Sequence, residues 1–97
     1  MPHYSLTDRF RKDFNNLDAQ DKERFRVTIA EQFVPDLLAG KFRPGLRVKG
    51  VHGAPGVYEM TWAPDGRATW QYGEEMEPGE PHIIWRRIGT HDVFRMP

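Results

Sequence analysis

The spacing of apolar residues changes at Gly40, and this change most constrains the fold. Before Gly40 the apolar side chains recur every three or four residues in two stretches, formed by Phe10, Phe14 and Leu17 and then by Phe25, Ile29, Phe33 and Leu37. After Gly40 they follow a period of two in four segments, LRVKGV, GVYEMTW, RATWQYG and HIIWRRIG, which Gly, Pro and Asp separate. The first period is that of amphipathic helices and the second that of β-strands. The sequence therefore predicts a helical hairpin followed by a run of antiparallel strands.

Capping residues mark where the predicted elements begin and end. The segment HYSL is suited to a short first strand, after which Ser5 or Thr7 can cap the first helix. Asp18 stands at the start of the second helix, Pro35 should kink or interrupt it, and Gly40 is suited to its C-terminal cap. The turn APDG predicts a hairpin between the second and third of the four later segments. The predicted fold class is α+β, with an N-terminal strand and a two-helix hairpin packed on a twisted, mainly antiparallel sheet.

Length and composition bound the class of protein. Ninety-seven residues predict a single domain, 1–97. The absence of cysteine excludes disulfides and thiolate metal sites, and the four histidines show no metal-ligand spacing, so we expect no metal and no cofactor. No apolar stretch approaches the ~20 residues of a membrane span, and the sequence is typical of a cytoplasmic protein.

Charge is balanced overall but segregated along the chain. The formal net charge is zero, yet KFRPGLRVK (41–49) has four cations and no acid, whereas GEEMEPGEP (73–81) has four acids and no base. Ten of the fourteen cations are arginine, whose forked guanidinium suits phosphate and carboxylate groups. A basic face is therefore compatible with the neutral total.

Side-chain alternation predicts a sheet with one aromatic and one polar face. The aromatic face takes Tyr58, Met60, Trp62, Ala68, Trp70 and Tyr72, and the polar face takes Glu59, Thr61, Arg67, Thr69 and Gln71. Glu59, Arg67 and His91 together suit acid–base chemistry on a phosphodiester, with Arg47, Lys49, Arg87 and Arg95 placed to follow a nucleic-acid backbone. The simpler interpretation stays open: Glu59 as a solvent-facing strand residue paired with a cation, Arg67 as a structural turn residue, and His91 as a chain-end residue.

The segments LRVKGVHGAPGVYEMTWAPDGRATWQYG and HIIWRRIGTHDVF resemble the RelE/ParE superfamily of bacterial type II toxins. The similar features are a basic strand before a Gly-containing loop, a hairpin whose second strand opens with Arg, and a last strand that ends in Gly-x-His before an aromatic residue. The resemblance covers residues 45–97 well and the helical hairpin loosely. It implies two helices on a twisted antiparallel sheet. In RelE- and YoeB-like members it also implies metal-independent cleavage of mRNA on the ribosome by 2′-hydroxyl attack, blocked by an antitoxin protein.

The resemblance also implies roles for individual residues. Arg67 stands where these nucleases hold the scissile phosphate, and His91 stands where a side chain at the end of the last strand assists the chemistry. Phe94 corresponds to an aromatic residue that stacks on a base; phenylalanine can stack but cannot transfer a proton. Glu59 as general base is our own inference from the polar face, because the glutamate base of YoeB-like members lies nearer to Leu46.

Three functions are compatible with these residues. The preferred one is a ribosome-dependent mRNA endoribonuclease toxin with a cognate antitoxin, ribosomes and mRNA as partners. The alternatives are a ParE-like inhibitor of DNA gyrase and a catalytically silent member that acts by protein binding.

Overall fold

A five-stranded sheet organises the molecule, and the computed structural model describes residues 2–97 of the chain. The strands are β1 (His3–Leu6), β2 (Lys49–Gly50), β3 (Val57–Ala63), β4 (Gly66–Tyr72) and β5 (His82–Gly89). Their order across the sheet is β1-β5-β4-β3-β2, with β1 parallel to β5 and the remaining pairs antiparallel. Because β5 lies between two strands, its Ile-Ile-Trp run is in the interior of the sheet. The predicted α+β fold with a mainly antiparallel sheet is confirmed.

The helices precede the hairpin strands and follow their predicted caps. They are α1 (Asp8–Asn15), α2 (Ala19–Thr28) and α3 (Val34–Ala39), with a π-helical turn at Ile29–Phe33 between the last two. Thr7 Oγ1 accepts a hydrogen bond from the Phe10 N–H at 3.0 Å, and Asp18 Oδ1 accepts one from the Asp21 N–H at 2.8 Å. Gly40 ends α3 in the left-handed conformation, with φ 81°.

The predicted interruption at Pro35 begins earlier than the proline itself. The α-helical pattern stops at Thr28, and the Val34 N–H bonds to the carbonyl of Ile29, five residues back. Proline has no N–H to give and its ring crowds the carbonyl four residues before it, so a wider turn ahead of Pro35 relieves both problems. The chain stays helical through this wider turn, and Phe33 lies in the core.

An aromatic core fills the space between the helices and one face of the sheet. Phe33 and Trp70 are fully buried, with their rings edge to face at 5.0 Å. Phe25 contacts Trp85 at 5.4 Å and Trp62 at 5.9 Å, also edge to face. The other buried members of the core are Phe10, Leu46, Met60, Ala68, Ile83 and Ile88. Among residues 2–97 no α-helix covers the opposite face of the sheet. None of the helices in these residues is long and apolar enough to cross a membrane.

The predicted basic strand LRVKGV is mostly not a strand. Only Lys49 and Gly50 pair with β3, while Pro44–Leu46 forms a 3₁₀ turn and Arg47 takes a left-handed φ of 50°. Proline cannot donate to a strand ladder, and burial of the Leu46 side chain in the core turns the backbone away from the sheet. The cations of this segment therefore lie on a loop at the sheet edge.

A bulge in β5 changes which residues face the helices. Trp70 pairs with Trp85 but Thr69 pairs with Arg87, so Arg86 is an extra residue in β5. After the bulge Ile88 returns to the helix side, opposite Ala68. Gly89 leaves room for Val93, whose Cγ1 would lie 3.2 Å from an added Cβ.

Asp13 of α1 caps the free edge of β5. Its Oδ2 accepts hydrogen bonds from Arg87 Nε at 2.6 Å and from the Ile88 N–H at 3.2 Å, beyond the point where β1 stops pairing. Both side chains of the ion pair are mostly shielded, Arg87 at 15% and Asp13 at 17% exposure.

Asp13→Ala is expected to lower the free energy of unfolding by about 2–4 kcal/mol, because it leaves a shielded guanidinium and a strand N–H without their acceptor. Urea denaturation followed by circular dichroism measures the loss. Asp8→Ala on the same helix is the control, since its pair with Arg11 is exposed and should be worth less than about 1 kcal/mol. Equal losses in the two variants would contradict the capping role.

Candidate functional site

A groove on the helix-free face of the sheet collects most of the predicted site residues. Its volume is about 380 Å³, and it is lined by Pro44, Arg47, Val48, Lys49, Glu59, Thr61, Arg67 and His91. The lining carries three cations and one carboxylate beside the histidine, so a phosphate group is electrostatically favoured there. All three residues predicted to be catalytic, Glu59, Arg67 and His91, lie in this groove; whether they catalyse a reaction stays a prediction.

Arg67 is held by the β3–β4 turn at the start of β4. Its Nη1 donates to the carbonyls of Gly66 at 2.9 Å, Pro64 at 3.3 Å and Ala63 at 3.4 Å. No acceptor among residues 2–97 bonds to its Nε or Nη2. The turn contacts therefore orient the guanidinium while leaving two of its nitrogens for an oxyanion in the groove.

His91 stands at the first position of a 3₁₀ turn, His91–Arg95, that follows β5. Val93, buried against the sheet, anchors this turn, whereas the His91 side chain is 65% exposed. The imidazole Nδ1 lies 3.7 Å from Asp65 Oδ1, and the Phe94 ring meets it edge to face at 5.5 Å. One ring edge thus faces a carboxylate, and the ring as a whole is accessible to a ligand.

Glu59 is a well-shielded ionisable group of the groove, with 13% of its side chain exposed. Lys49 Nζ lies 3.8 Å from Glu59 Oε1 across the β2–β3 pair, and Thr69, fully buried, is its neighbour on β4. A carboxylate in such a place can accept a proton from a bound hydroxyl once a ligand draws Lys49 away.

Three predicted RNA-binding residues lie outside the groove. Arg87 forms an ion pair with Asp13 and donates a hydrogen bond from Nη1 to the main-chain oxygen of Met96. Its guanidinium therefore stabilises the edge of β5. Phe94 is half-buried behind His91, and Arg95 is exposed on the same 3₁₀ turn. Arg47 and Lys49 are both exposed at the groove.

Asp65 is a neighbour of His91 that sequence reasoning missed. Arg67 pairs with Gly89 in the antiparallel β4–β5 ladder, so residues 65 and 91 extend the same register beyond the strand ends. The strand register is the signal that could have revealed this pair of residues. The bulge at Arg86 hides it, because counting along β4 and β5 without the extra residue misplaces the pairing by one residue.

A bidentate ion pair anchors the loop that carries Arg47 and Lys49. Asp36 accepts from Arg43 Nε at 2.8 Å, from Nη2 at 3.0 Å and from the Arg43 N–H at 2.8 Å. The hydrogen bonds from the Arg43 side chain, and then from its backbone N–H, lower the pKa of the Asp36 carboxyl below its usual 3.8. The start of the loop is thereby tied to α3.

The lowered pKa of Asp36 predicts a pH-dependent contribution to stability. The folded pKa lies below the unfolded one, so the contribution is complete above about pH 4 and is lost as the pH falls through the folded pKa. We expect Asp36→Asn to lower Tm at pH 7 and the difference from wild type to shrink below about pH 4. Thermal unfolding monitored from pH 7 to pH 2.5 tests this; a difference that grows on acidification would contradict it.

Comparison with known proteins finds relatives in structure only. No family model matches the sequence, and no curated protein matches it. Among solved structures, a copper-bound mutant toxin from Helicobacter pylori has 19% identity and a TM-score of 0.62, over 96% of this chain and 98% of that one. YafQ from E. coli, also solved as a DinJ–YafQ complex, has 12% identity and a TM-score of 0.63, over 96% and 97% of the two chains. A YoeB/ParE toxin from Agrobacterium tumefaciens has 11% identity and a TM-score of 0.65, over 92% and 98%.

These structural relatives are toxins or come from a toxin–antitoxin complex. The chain has the RelE/ParE toxin fold, as the resemblance of its sequence predicted.

Proposed function

We propose that this protein is the toxin of a type II toxin–antitoxin system, a cytoplasmic endoribonuclease that cleaves mRNA on the ribosome. The observation that carries the proposal is the groove on the helix-free face, which Arg67, His91 and Glu59 line together. The cations in its lining outnumber the single carboxylate. The fold, shared with YafQ and YoeB/ParE toxins, supports the toxin class.

The groove contains the groups that metal-independent RNA cleavage requires. Glu59 takes the proton of the ribose 2′-hydroxyl, whose oxygen then bonds to the adjacent phosphorus. His91 donates a proton to the 5′-oxygen as the P–O5′ bond breaks, which leaves a 2′,3′-cyclic phosphate and a 5′-hydroxyl. Arg67 and Lys49 stabilise the charge that develops on the phosphoryl oxygens. Asp65 Oδ1, 3.7 Å from His91 Nδ1, is placed to orient the imidazole.

Cleavage of a defined mRNA by the purified protein, with and without programmed ribosomes, tests the proposal. We expect cleavage that depends on ribosomes and generates 2′,3′-cyclic phosphate ends. His91→Ala should lower the cleavage rate by about 10²-fold or more, the usual contribution of a general acid. His52→Ala is the matched control, since His52 is an exposed histidine on the β2–β3 loop, outside the groove.

Other outcomes identify the rival functions. Growth arrest with DNA damage and intact transcripts would indicate a ParE-like gyrase inhibitor. Intact transcripts and normal growth, even without an antitoxin, would indicate a silent binding module. Full cleavage by His91→Ala would leave the ribonuclease proposal standing but remove His91 from its mechanism.

We also propose a cognate antitoxin as protein partner, seated on the helix side of the molecule. An apolar groove of about 1180 Å³ lies between β1 and the helices, and its lining includes Tyr4 and Leu6, which are both exposed. Arg11 and Arg26 also line it, so an amphipathic helix with acidic residues beside its apolar stripe is complementary. Co-expression with the product of a short neighbouring reading frame, followed by co-purification, tests the pairing; Leu6→Glu should weaken it.

A further inference from the structure

A histidine and two glutamates meet at the end of the sheet opposite to the groove. His3, Glu77 and Glu80 each offer one ligand atom, and these atoms all lie within 4.8 Å of one another. His3 Nε2 and Glu80 Oε2 are 3.0 Å apart, and both side chains are about two-thirds shielded, with exposures of 33% and 32%. The cluster lies beside the start of β5, whereas His91 follows its end, so the two sites are separated by roughly 25 Å of strand.

Two separate backbone features place the three side chains near one another: a β-turn positions the two glutamates, and strand pairing positions the histidine. Glu77 and Glu80 are the first and last residues of a β-turn closed by the Glu80 N–H and the Glu77 carbonyl at 3.1 Å. Pro78 and Gly79, the latter with φ 83°, are the residues that a type II turn favours at its centre. His3 comes from the other end of the chain, and β1 fixes it through the parallel pairing of His3 with His82 and a 2.9 Å hydrogen bond to Pro81.

The ligand set indicates the kind of ion. One imidazole with two carboxylates is a mixed nitrogen and oxygen set that suits Zn²⁺ and neighbouring divalent transition metals. Zinc bonds of 2.0–2.2 Å put tetrahedral ligands roughly 3.4 Å apart. From a spread of at most 4.8 Å the widest pair would close by no more than about 1.4 Å, while His3 Nε2 and Glu80 Oε2, now 3.0 Å apart, would open slightly. The fourth position would remain open to solvent. His82 is not the fourth ligand, because its ring nitrogens lie 2.8 Å from Ser5 Oγ and from the Glu74 carbonyl.

We propose that His3, Glu77 and Glu80 bind a divalent transition-metal ion of the Zn²⁺ type and that the ion clamps the acidic 74–80 loop to β1. This departs from the expectation of no metal drawn from histidine spacing, because no local motif joins residue 3 to residues 77 and 80. The proposal does not depend on ribonuclease activity, and the clamp has a structural role. An ion there would tie the loop before β5 to the first strand.

Isothermal titration of the full, tag-free chain with ZnCl₂, together with thermal unfolding, tests the clamp. We expect one saturable site and a Tm that rises by on the order of 10 °C when free zinc is about 100 times Kd. His3→Ala and Glu77→Gln should each weaken binding by at least about tenfold, the lower limit of what loss of even a supporting residue costs a metal site. Glu77 is exposed, so Glu77→Gln reports on binding without endangering the fold.

Matched controls separate this site from others. Glu74→Gln lies in the same acidic loop, and His52→Ala removes an exposed histidine elsewhere; both should bind zinc like wild type. The proposal is overturned by the absence of saturable binding up to millimolar zinc, or by unchanged affinity in His3→Ala and Glu77→Gln. Loss of binding in His91→Ala with full binding in His3→Ala would place the ion in the groove and equally overturn it.

Discussion

Arg67→Ala is expected to reduce RNA cleavage on the ribosome by about 10²–10³-fold while the protein stays folded. The guanidinium of Arg67 faces the groove that also holds His91 and Glu59, and loss of one such positioned donor costs a few kcal/mol of transition-state stabilisation. Its three bonds to turn carbonyls predict a smaller loss of stability, about 1 kcal/mol. Cleavage rates and urea denaturation of the same preparation separate the two effects.

Arg67→Lys is the informative control for this prediction. Lysine keeps the charge but loses the planar fork that bonds to the turn and to a phosphate at once, so we expect a rate between those of wild type and Arg67→Ala. If Arg67→Ala unfolds the domain as severely as a core variant does, Arg67 has a structural role through its contacts with the turn, and its assignment to the site is wrong.

Phe25→Ala is expected to lower the free energy of unfolding by about 3–5 kcal/mol, against a total of roughly 5–10 kcal/mol for a domain of this size. Phe25 is 6% exposed and its ring contacts two tryptophans, Trp62 and Trp85, and two phenylalanines, Phe10 and Phe14. Removing it opens a cavity where α1 and α2 meet the sheet, which surrounding aromatic rings cannot fill without leaving their own contacts.

Chemical denaturation at 25 °C measures this loss, and Val27→Ala on the same helix is its control. Val27 is an exposed hydrophobic residue, so its truncation should cost less than about 1 kcal/mol. A loss below 1 kcal/mol for Phe25→Ala would mean that the helices can repack, and would contradict the description of this ring as central to the core.

Elements that depend on neighbouring residues were predictable from the sequence. The caps at Thr7, Asp18 and Gly40 lie where they were expected, because each depends only on groups within a few residues. Thr7 and Asp18 accept hydrogen bonds from N–H groups of the first helical turn, and Gly40 ends its helix in the left-handed conformation. The hairpin of β3 and β4 follows in the same way from Pro64 and Gly66 around a tight turn. Alternation along these strands predicted which side carries the core and which side carries Glu59 and Arg67.

Features that depend on distant residues were beyond the sequence. The bulge at Arg86, the two-residue β2 and the ion pair of Arg87 with Asp13 each result from packing between segments that no local pattern connects. Arg87 shows the consequence: its type and position suited a phosphate contact, but α1 places a carboxylate beside it.

The sequence by itself determined the order of the elements, the apolar side of each and the residue types available on the open face, since periodicity and capping act over one or two turns of chain. Only the tertiary structure decided that Asp65 faces His91, that Glu59 lies shielded beside Lys49, and that His3 joins Glu77 and Glu80. The physical reason is register: strand pairing brings together residues far apart in the chain, and a single extra residue or a parallel first strand changes every partner that follows.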